Sequence, residues 1–405
     1  YAAVPLCQHL LGYLDSTGHG AAGLEKALDA VLSGTGENSS LVCAVTAQGT
    51  LRTGETARLL QADSGALGVQ LTISRPVQRA VEAVAASTMT SGCILVLDTA
   101  TAAVRASVSV PCYDPENLAD SLQAENSPFL NRALQSYAVG SVFKPVLAAT
   151  ALEAGLQPVF ECTGAVVVDG QIFRCAGGVP HGQVDLAAAL EKSCNGYFIR
   201  LGQQLGAESL LDAAKAFGFG QSLLLAEGFA AEAGQLPTPQ ELAQSGQLAN
   251  FSFGQGSLLA APMQVAALFN TLAADGVYRA PYVLQATLDE TTGQPVETLS
   301  HPRGRRVISA QNAALLRAML VQVVQQGTAQ DAAGLSGGAG GKTGTAQTGQ
   351  FTPEGTERCN LWFAGFWPAE KPRYTIVVLQ DGAVHTAYSG AAIFAQVCTA
   401  LEAAG

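Results

Sequence analysis

Apolar and polar positions alternate on two different periods along this chain, and each period predicts its own elements. CILVLD at 93–98 and VRASVSV at 104–110 are short β-prone runs separated by the turn-like DTATAA, which predicts an antiparallel pair. Three further strand-like runs follow closely on one another: GKTGTAQT at 341–348, NLWFAGFWP at 360–368 and RYTIVVLQD at 373–381. Their connections are too short for crossover helices, so these strands are expected to be antiparallel as well. Helical spacing marks PVQRAVEAVAASTMT, which follows a strand at 69–73 and carries Pro76 in its first turn. The same spacing marks the run after Gly140, residues 183–207, the segment from Pro262 to Ala274, and the final SGAAIFAQVCTALEA. The fold class that follows is α/β of the α+β kind, an antiparallel sheet flanked by helices and not a doubly wound parallel sheet. Residues 1–64 look different, with one short helical pattern in AAGLEKALDAVLSG and short strands broken by Gly and Thr in SSLVCAVTAQGTLRTGETARLL.

Composition narrows the function classes. The 405 residues are 48% hydrophobic and 13% charged, which excludes a disordered chain. Lys plus Arg number 21 against 32 Asp plus Glu, a net charge of −11, and no basic cluster offers a nucleic-acid groove. No run of about 18 apolar residues predicts a membrane span. Nine cysteines are scattered without a C-x2-C pair, and the five histidines show no metal-ligand spacing, so no metal or cofactor is called for. Cys162 and Cys175 flank AVVVDGQIF, where Asp169-Gly170 predicts a hairpin turn; a disulfide across it and two free thiols both remain open. His181-Gly182 reads as a turn or packing element. Cys194 reads as a small side chain with no lysine or helix end to make it a thiolate.

Three short elements carry chemistry. Ser141 and Lys144 stand three residues apart on a helical run and so share a face, where a desolvated lysine amine can serve a serine hydroxyl as base. Ser193-Cys194-Asn195 supplies a second hydroxyl able to relay a proton, and an amide able to hold a peptide carbonyl. In Lys342-Thr343-Gly344-Thr345 strand alternation turns Lys342 and Gly344 one way and Thr343 and Thr345 the other. Gly344 is expected to leave room for substrate against the backbone, Lys342 to supply positive charge, and the Thr345 N–H to donate to an oxyanion. Each element alone also fits an unremarkable cap, helix interruption or edge strand.

Ser-x-x-Lys, Ser-x-Asn and Lys-Thr-Gly in this order form the signature of penicillin-binding proteins and class A β-lactamases. The chain resembles the class B, monofunctional penicillin-binding proteins, peptidoglycan D,D-transpeptidases of division, elongation or sporulation. LTISRPVQRAVE, CILVLD, PCYDP, YAVGSVFKP, His181-Gly182, FGQG with Pro262-Met263-Gln264, and GKTGTAQ are similar to their successive landmarks. The resemblance implies a transpeptidase fold of the serine β-lactamase type over residues 65–405, with 1–64 the remnant of an N-terminal pedestal. It implies Ser141 as acylated nucleophile, Lys144 as general base, Ser193 and Asn195 as the middle motif, Thr345 as an oxyanion donor, and Lys342, Thr343, Gly344 and Thr345 as the substrate-side strand. It implies stem peptides or a lipid-linked precursor as substrate, β-lactams as covalent inhibitors and a glycosyltransferase partner. It also implies a position on the extracytoplasmic face of the membrane, held by an N-terminal anchor.

Two departures stand out: Ala138-Val139-Gly140 where the family often has Pro-Gly, and Thr101-Ala102 where it usually has Thr-Gly. A β-lactamase or D,D-carboxypeptidase with the same chemistry is the alternative enzyme, differing in whether water reaches the acyl-enzyme. EGFAAEAGQLPTPQEL offers carboxylates but no evident deacylating base. A non-catalytic β-lactam sensor or scaffold is the third reading. Trp362, Phe363, Phe366 and Trp367 are expected in the core, with one aromatic at the cleft.

Overall fold

The structure is a computed structural model that describes residues 6–34, 40–43, 45–46, 50, 52, 58–60, 65–115 and 117–404. Five antiparallel strands organise it: β1 (Gly92–Asp98), β2 (Val104–Val110), β3 (Gly340–Phe351), β4 (Glu357–Trp367) and β5 (Tyr374–Ala383), in spatial order β3-β4-β5-β1-β2. Both expected strand groups therefore join in one sheet. β5 joins them, its Val377 opposite Leu95 on one side and Ala364 on the other. Central position explains the unbroken apolar runs: Ile94 to Leu97 and Ile376 to Leu379 are wholly buried, because both sheet faces are covered.

Helix α1 (Arg75–Thr88) packs against α6 (Gly390–Ala403), and α6 covers β4 and β5. Pro76 stands in the first turn of α1, where its missing N–H costs nothing. The Ser389 hydroxyl caps α6 by accepting the Ala392 N–H at 3.1 Å. Between them in sequence lie α2 (Lys144–Glu153), α3 (Asn195–Leu205), α4 (Pro262–Ala273) and α5 (Ala310–Gln325). Every residue of α4 is buried, as suits a helix that is apolar on nearly all sides and sits between the sheet and α5. A second, three-stranded sheet joins Leu67–Leu71 to Leu284–Asp289 and Pro295–Thr298.

Two expectations change. Residues 183–207 are not one helical stretch: strand Gly182–Val184 leads into helix Leu186–Glu191, and a turn at Ser193, φ 53°, separates that helix from α3. All four aromatics of the β4 run are buried, so none lines the cleft; the Trp362 indole N–H donates to the Ala138 carbonyl at 3.0 Å. Ala102 keeps the left-handed φ, 64°, that a glycine adopts without strain.

In the lead-in, Gly23–Ala27 and Asp29–Ser33 are short helices, and Ser40–Val42 pairs with Arg58–Leu60. Most of the remaining stretch expected to hold strands before residue 65 lies outside the described residues. Cys7, Leu10 and Leu24 belong to the same apolar core as the central sheet. Among the described residues no helix is long and apolar enough to cross a membrane.

Candidate active site

Ser141 sits on a single 3-10 turn, Gly140–Phe143, that runs directly into α2 at Lys144. With three residues per turn, positions i and i+3 eclipse, so Ser141 and Lys144 share one side of the chain as their spacing predicts. Glycines press this turn between two backbones. A methyl on Gly254, at φ 85°, would lie 1.9 Å from the Gly140 carbonyl oxygen, and the Gly140 N–H donates to the Gly254 carbonyl at 2.8 Å. On the opposite side a methyl on Gly140 would lie 2.8 Å from the Thr345 carbonyl oxygen, and one on Gly344 would lie 3.1 Å from Val142. Gly344 thus lets β3 approach the nucleophile turn. This corrects the expectation that it opens space for substrate; its Cα faces protein.

Alternation along β3 falls as the pattern predicts. Lys342, Gly344 and Ala346 point inward and are buried, Thr343 is half-buried and Thr345 is exposed on the other face. β3 is an edge strand of the sheet, so the backbone groups on its outer side are open to an extended peptide. The Thr343 hydroxyl meets that of Thr328 at 2.6 Å. Thr328 escaped the sequence reading, because a single threonine after α5 carries no motif.

The second motif converges on the first through Lys144. Its Nζ lies 2.7 Å from the Ser193 carbonyl oxygen, 2.7 Å from Asn195 Oδ1 and 3.1 Å from Ser193 Oγ. A neutral amine has two N–H donors, which the two obligate acceptors take, leaving its lone pair for a hydroxyl. Burial is complete and lowers the Lys144 pKa from 10.5 to about 7, partly opposed by the nearby Cys194 and Cys175. Asn195 is held in turn, its Nδ2 donating to the Arg174 carbonyl at 2.9 Å. Lys342 is also completely buried, and burial and then Lys144 hold its pKa well below the ordinary lysine value. Its amine donates to the Thr343 carbonyl at 3.1 Å, so it lies beneath the strand surface that Thr343 and Thr345 present.

Cys194 does not line the cleft. It is buried at the N-terminal cap of α3, its sulfur accepting the Tyr197 N–H at 3.4 Å, so the helix end that the sequence reading missed is present. The hairpin at Asp169-Gly170 forms as expected, with φ 47° and 80° at its two turn residues. The Cys162 and Cys175 sulfurs stand 3.7 Å apart as free thiols. Two of the three carboxylates of the 227–242 stretch have other tasks: Glu232 accepts the Ser136 N–H at 2.9 Å, and Glu241 completes a capping box with Thr238.

An antiparallel sheet flanked by helices, with a serine, two buried lysines and a Ser-x-Asn turn meeting beside its edge strand, defines an acyl-serine transferase of the penicillin-recognising class. The chain belongs to the penicillin-binding protein transpeptidase family: the model described as "Penicillin binding protein transpeptidase domain" matches residues 92–399. Within that family it is of the class B, division type, a serine-type D,D-transpeptidase. It is 31% identical to the peptidoglycan D,D-transpeptidase PbpA of Mycolicibacterium smegmatis, over 96% of this chain and 80% of that protein. The crystal structure of the D,D-transpeptidase domain of a peptidoglycan glycosyltransferase from Eggerthella lenta superposes with a TM-score of 0.82 at 26% identity, over 100% of this chain and 92% of that one. Penicillin-binding protein 3 of Mycobacterium tuberculosis complexed with aztreonam gives 0.81 at 28% identity, over 100% and 89%.

Proposed function

We propose that Ser141 is the nucleophile and Lys144 its general base in a transpeptidation that crosslinks peptidoglycan stem peptides. One observation carries the assignment: a wholly buried amine, its pKa brought to about 7, is held by Ser193 and Asn195 one turn from Ser141. The free amine takes the Ser141 proton as Oγ bonds to the carbonyl carbon of the penultimate D-alanine. The backbone N–H groups of Ser141 and Thr345 receive the oxyanion, each such donor being worth about 3 kcal/mol. The proton passes from Lys144 through the Ser193 hydroxyl, 3.1 Å away, to the leaving D-alanine nitrogen as the C–N bond breaks. A side-chain amine of a neighbouring stem then attacks the ester carbonyl and loses its proton to Lys144, which returns it to Ser141 Oγ as the ester C–O bond breaks.

Thr343 and Thr345, outward on β3, bind the terminal carboxylate of the stem or of a β-lactam, and Asn195 orients the acyl chain. Lys342 adds positive character from below. A β-lactam acylates Ser141 in the same way; its ring opens without releasing a fragment, so the ester persists. The aztreonam complex of the mycobacterial relative supports this, and the structural duties of Glu232 and Glu241 favour slow over fast hydrolysis. On this reading residues 65–405 form the catalytic unit and 1–64 the remnant of a pedestal. The same reading puts the protein at the extracytoplasmic face of a bacterial membrane, held by an N-terminal anchor, with a lipid-linked precursor as substrate source and a glycosyltransferase as partner.

Intact mass spectrometry after incubation with penicillin G tests the core of the proposal. One adduct per chain is expected on wild type and none on Ser141→Ala. A folded wild type without an adduct would overturn the acyl-serine reading, and an adduct that clears within seconds would favour a β-lactamase.

A further inference from the structure

Around the buried Cys194 of the Ser193-Cys194-Asn195 turn the fold gathers Cys162, Cys175, His181 and Cys194. One ligand atom from each lies within 4.8 Å of every other. Three different elements bring them together. Cys162 ends strand Phe160–Cys162, which pairs with Gly182–Val184 so that Cys162 stands opposite Gly182, beside His181. Cys175 follows the Asp169-Gly170 hairpin, and Cys194 caps α3. The measured edges are 3.7 Å for Cys162 to Cys175, 3.8 Å for Cys175 to Cys194, and 3.5 Å from Cys162 Sγ to His181 Nδ1.

A tetrahedral zinc ion with Zn–S bonds of about 2.3 Å and a Zn–N bond of about 2.1 Å requires sulfurs about 3.8 Å apart and nitrogen about 3.6 Å from sulfur. A disulfide requires sulfurs at about 2.0 Å, far inside the observed separations. We propose that Cys162, Cys175, Cys194 and His181 Nδ1 form a structural Cys3His zinc site. On binding, three thiol protons are released to solvent and the three thiolates with the neutral imidazole fill all four positions, leaving none open for catalysis. The surroundings suit bound thiolate: the Tyr197 N–H donates to the Cys194 sulfur at 3.4 Å. His181 is half-buried while all three cysteines are buried, which gives the ion an entry side. The site fastens the hairpin and the 160–184 strands to the residue between Ser193 and Asn195.

The test begins with zinc content of the full chain purified under reducing conditions, where one zinc per chain is expected. Chelator-stripped protein titrated with cobalt(II) is expected to show thiolate-to-cobalt charge transfer and the intense visible bands of a tetrahedral site. Zinc re-addition should restore the Tm lost on stripping. His181→Ala, at the half-buried position, should weaken metal affinity roughly tenfold or more while the protein stays folded. Wild-type binding alone decides if that variant misfolds. Folded, reduced wild type that takes up neither zinc nor cobalt at micromolar metal overturns the proposal. So does a non-reducing peptide map in which Cys175 is joined to Cys162 or Cys194 in protein isolated under anaerobic conditions. Because metal content is read without any acylation assay, this outcome is independent of whether Ser141 reacts with penicillin.

Discussion

The two walls of the cleft are held by opposite means. On the Ser141 and β3 side, Gly254, Gly140 and Gly344 let three backbone segments touch, and what fixes the nucleophile is the absence of side chains. On the Ser193 side the chain is held by polar side chains: Lys144 meets two acceptors and a hydroxyl, Asn195 is tied to Arg174, and Ser193 accepts a left-handed φ of 53° to make the turn. A non-glycine residue in that conformation costs roughly 1–2 kcal/mol. The comparison teaches that position and reactivity are supplied separately. Steric contact sets where Ser141 is, while hydrogen bonding and desolvation set the protonation state of its base.

Four measurements would break or sharpen this contrast. The largest effect is expected from Lys144→Met, which keeps length and apolar volume but removes the base; penicillin acylation measured by stopped flow should slow by roughly 10³–10⁴-fold with little loss of Tm. If acylation persists within tenfold, the polar wall does not set reactivity. Next, Gly254→Ala places a methyl 1.9 Å from the Gly140 carbonyl oxygen and must shift the nucleophile turn. An acylation loss of about 10²-fold is expected, with far-ultraviolet circular dichroism unchanged, because a shift near 1 Å costs about that much. Wild-type speed in this variant would refute the steric wall.

Third, Lys144 titrates near 7, lowered from 10.5, so its reactive free-amine form is lost as pH falls through that value. The acylation rate should therefore rise about tenfold from pH 5 to 6 and level off above about 8. A flat profile across that range would assign the base elsewhere. The smallest effect is expected from Thr328→Val, which removes one hydroxyl contact to Thr343 at 2.6 Å from the outer face of β3. A loss of about 1 kcal/mol, roughly fivefold in acylation rate, is the expectation for a single exposed hydrogen bond. A hundredfold loss would make Thr328 part of the carboxylate site.

Legibility differed by element. The central strands β1 and β5 could be read from their apolar runs, since both faces are covered and burial there tolerates no polar interruption. The turn at Ser193 could not, because Ala-, Leu- and Gln-rich flanks continue the helical pattern through it and only a left-handed residue breaks them. Of the site, Ser141, Lys144, Ser193, Asn195 and the Lys342 strand were found by their spacing. Thr328 and the cysteine and histidine cluster had no such signal, since 162, 175, 181 and 194 follow no metal-binding interval.

By itself, then, the sequence determined the principal strands and helices and the three polar motifs, because periodicity and short spacing are local properties of a chain. Only the tertiary structure decided what the motifs do to one another. It turned Gly344 toward the nucleophile instead of the substrate, buried Lys342 beneath Thr343, and set Cys194 among sulfurs. The reason is that desolvation and close backbone approach depend on segments hundreds of residues apart, and no local pattern encodes which of them will meet.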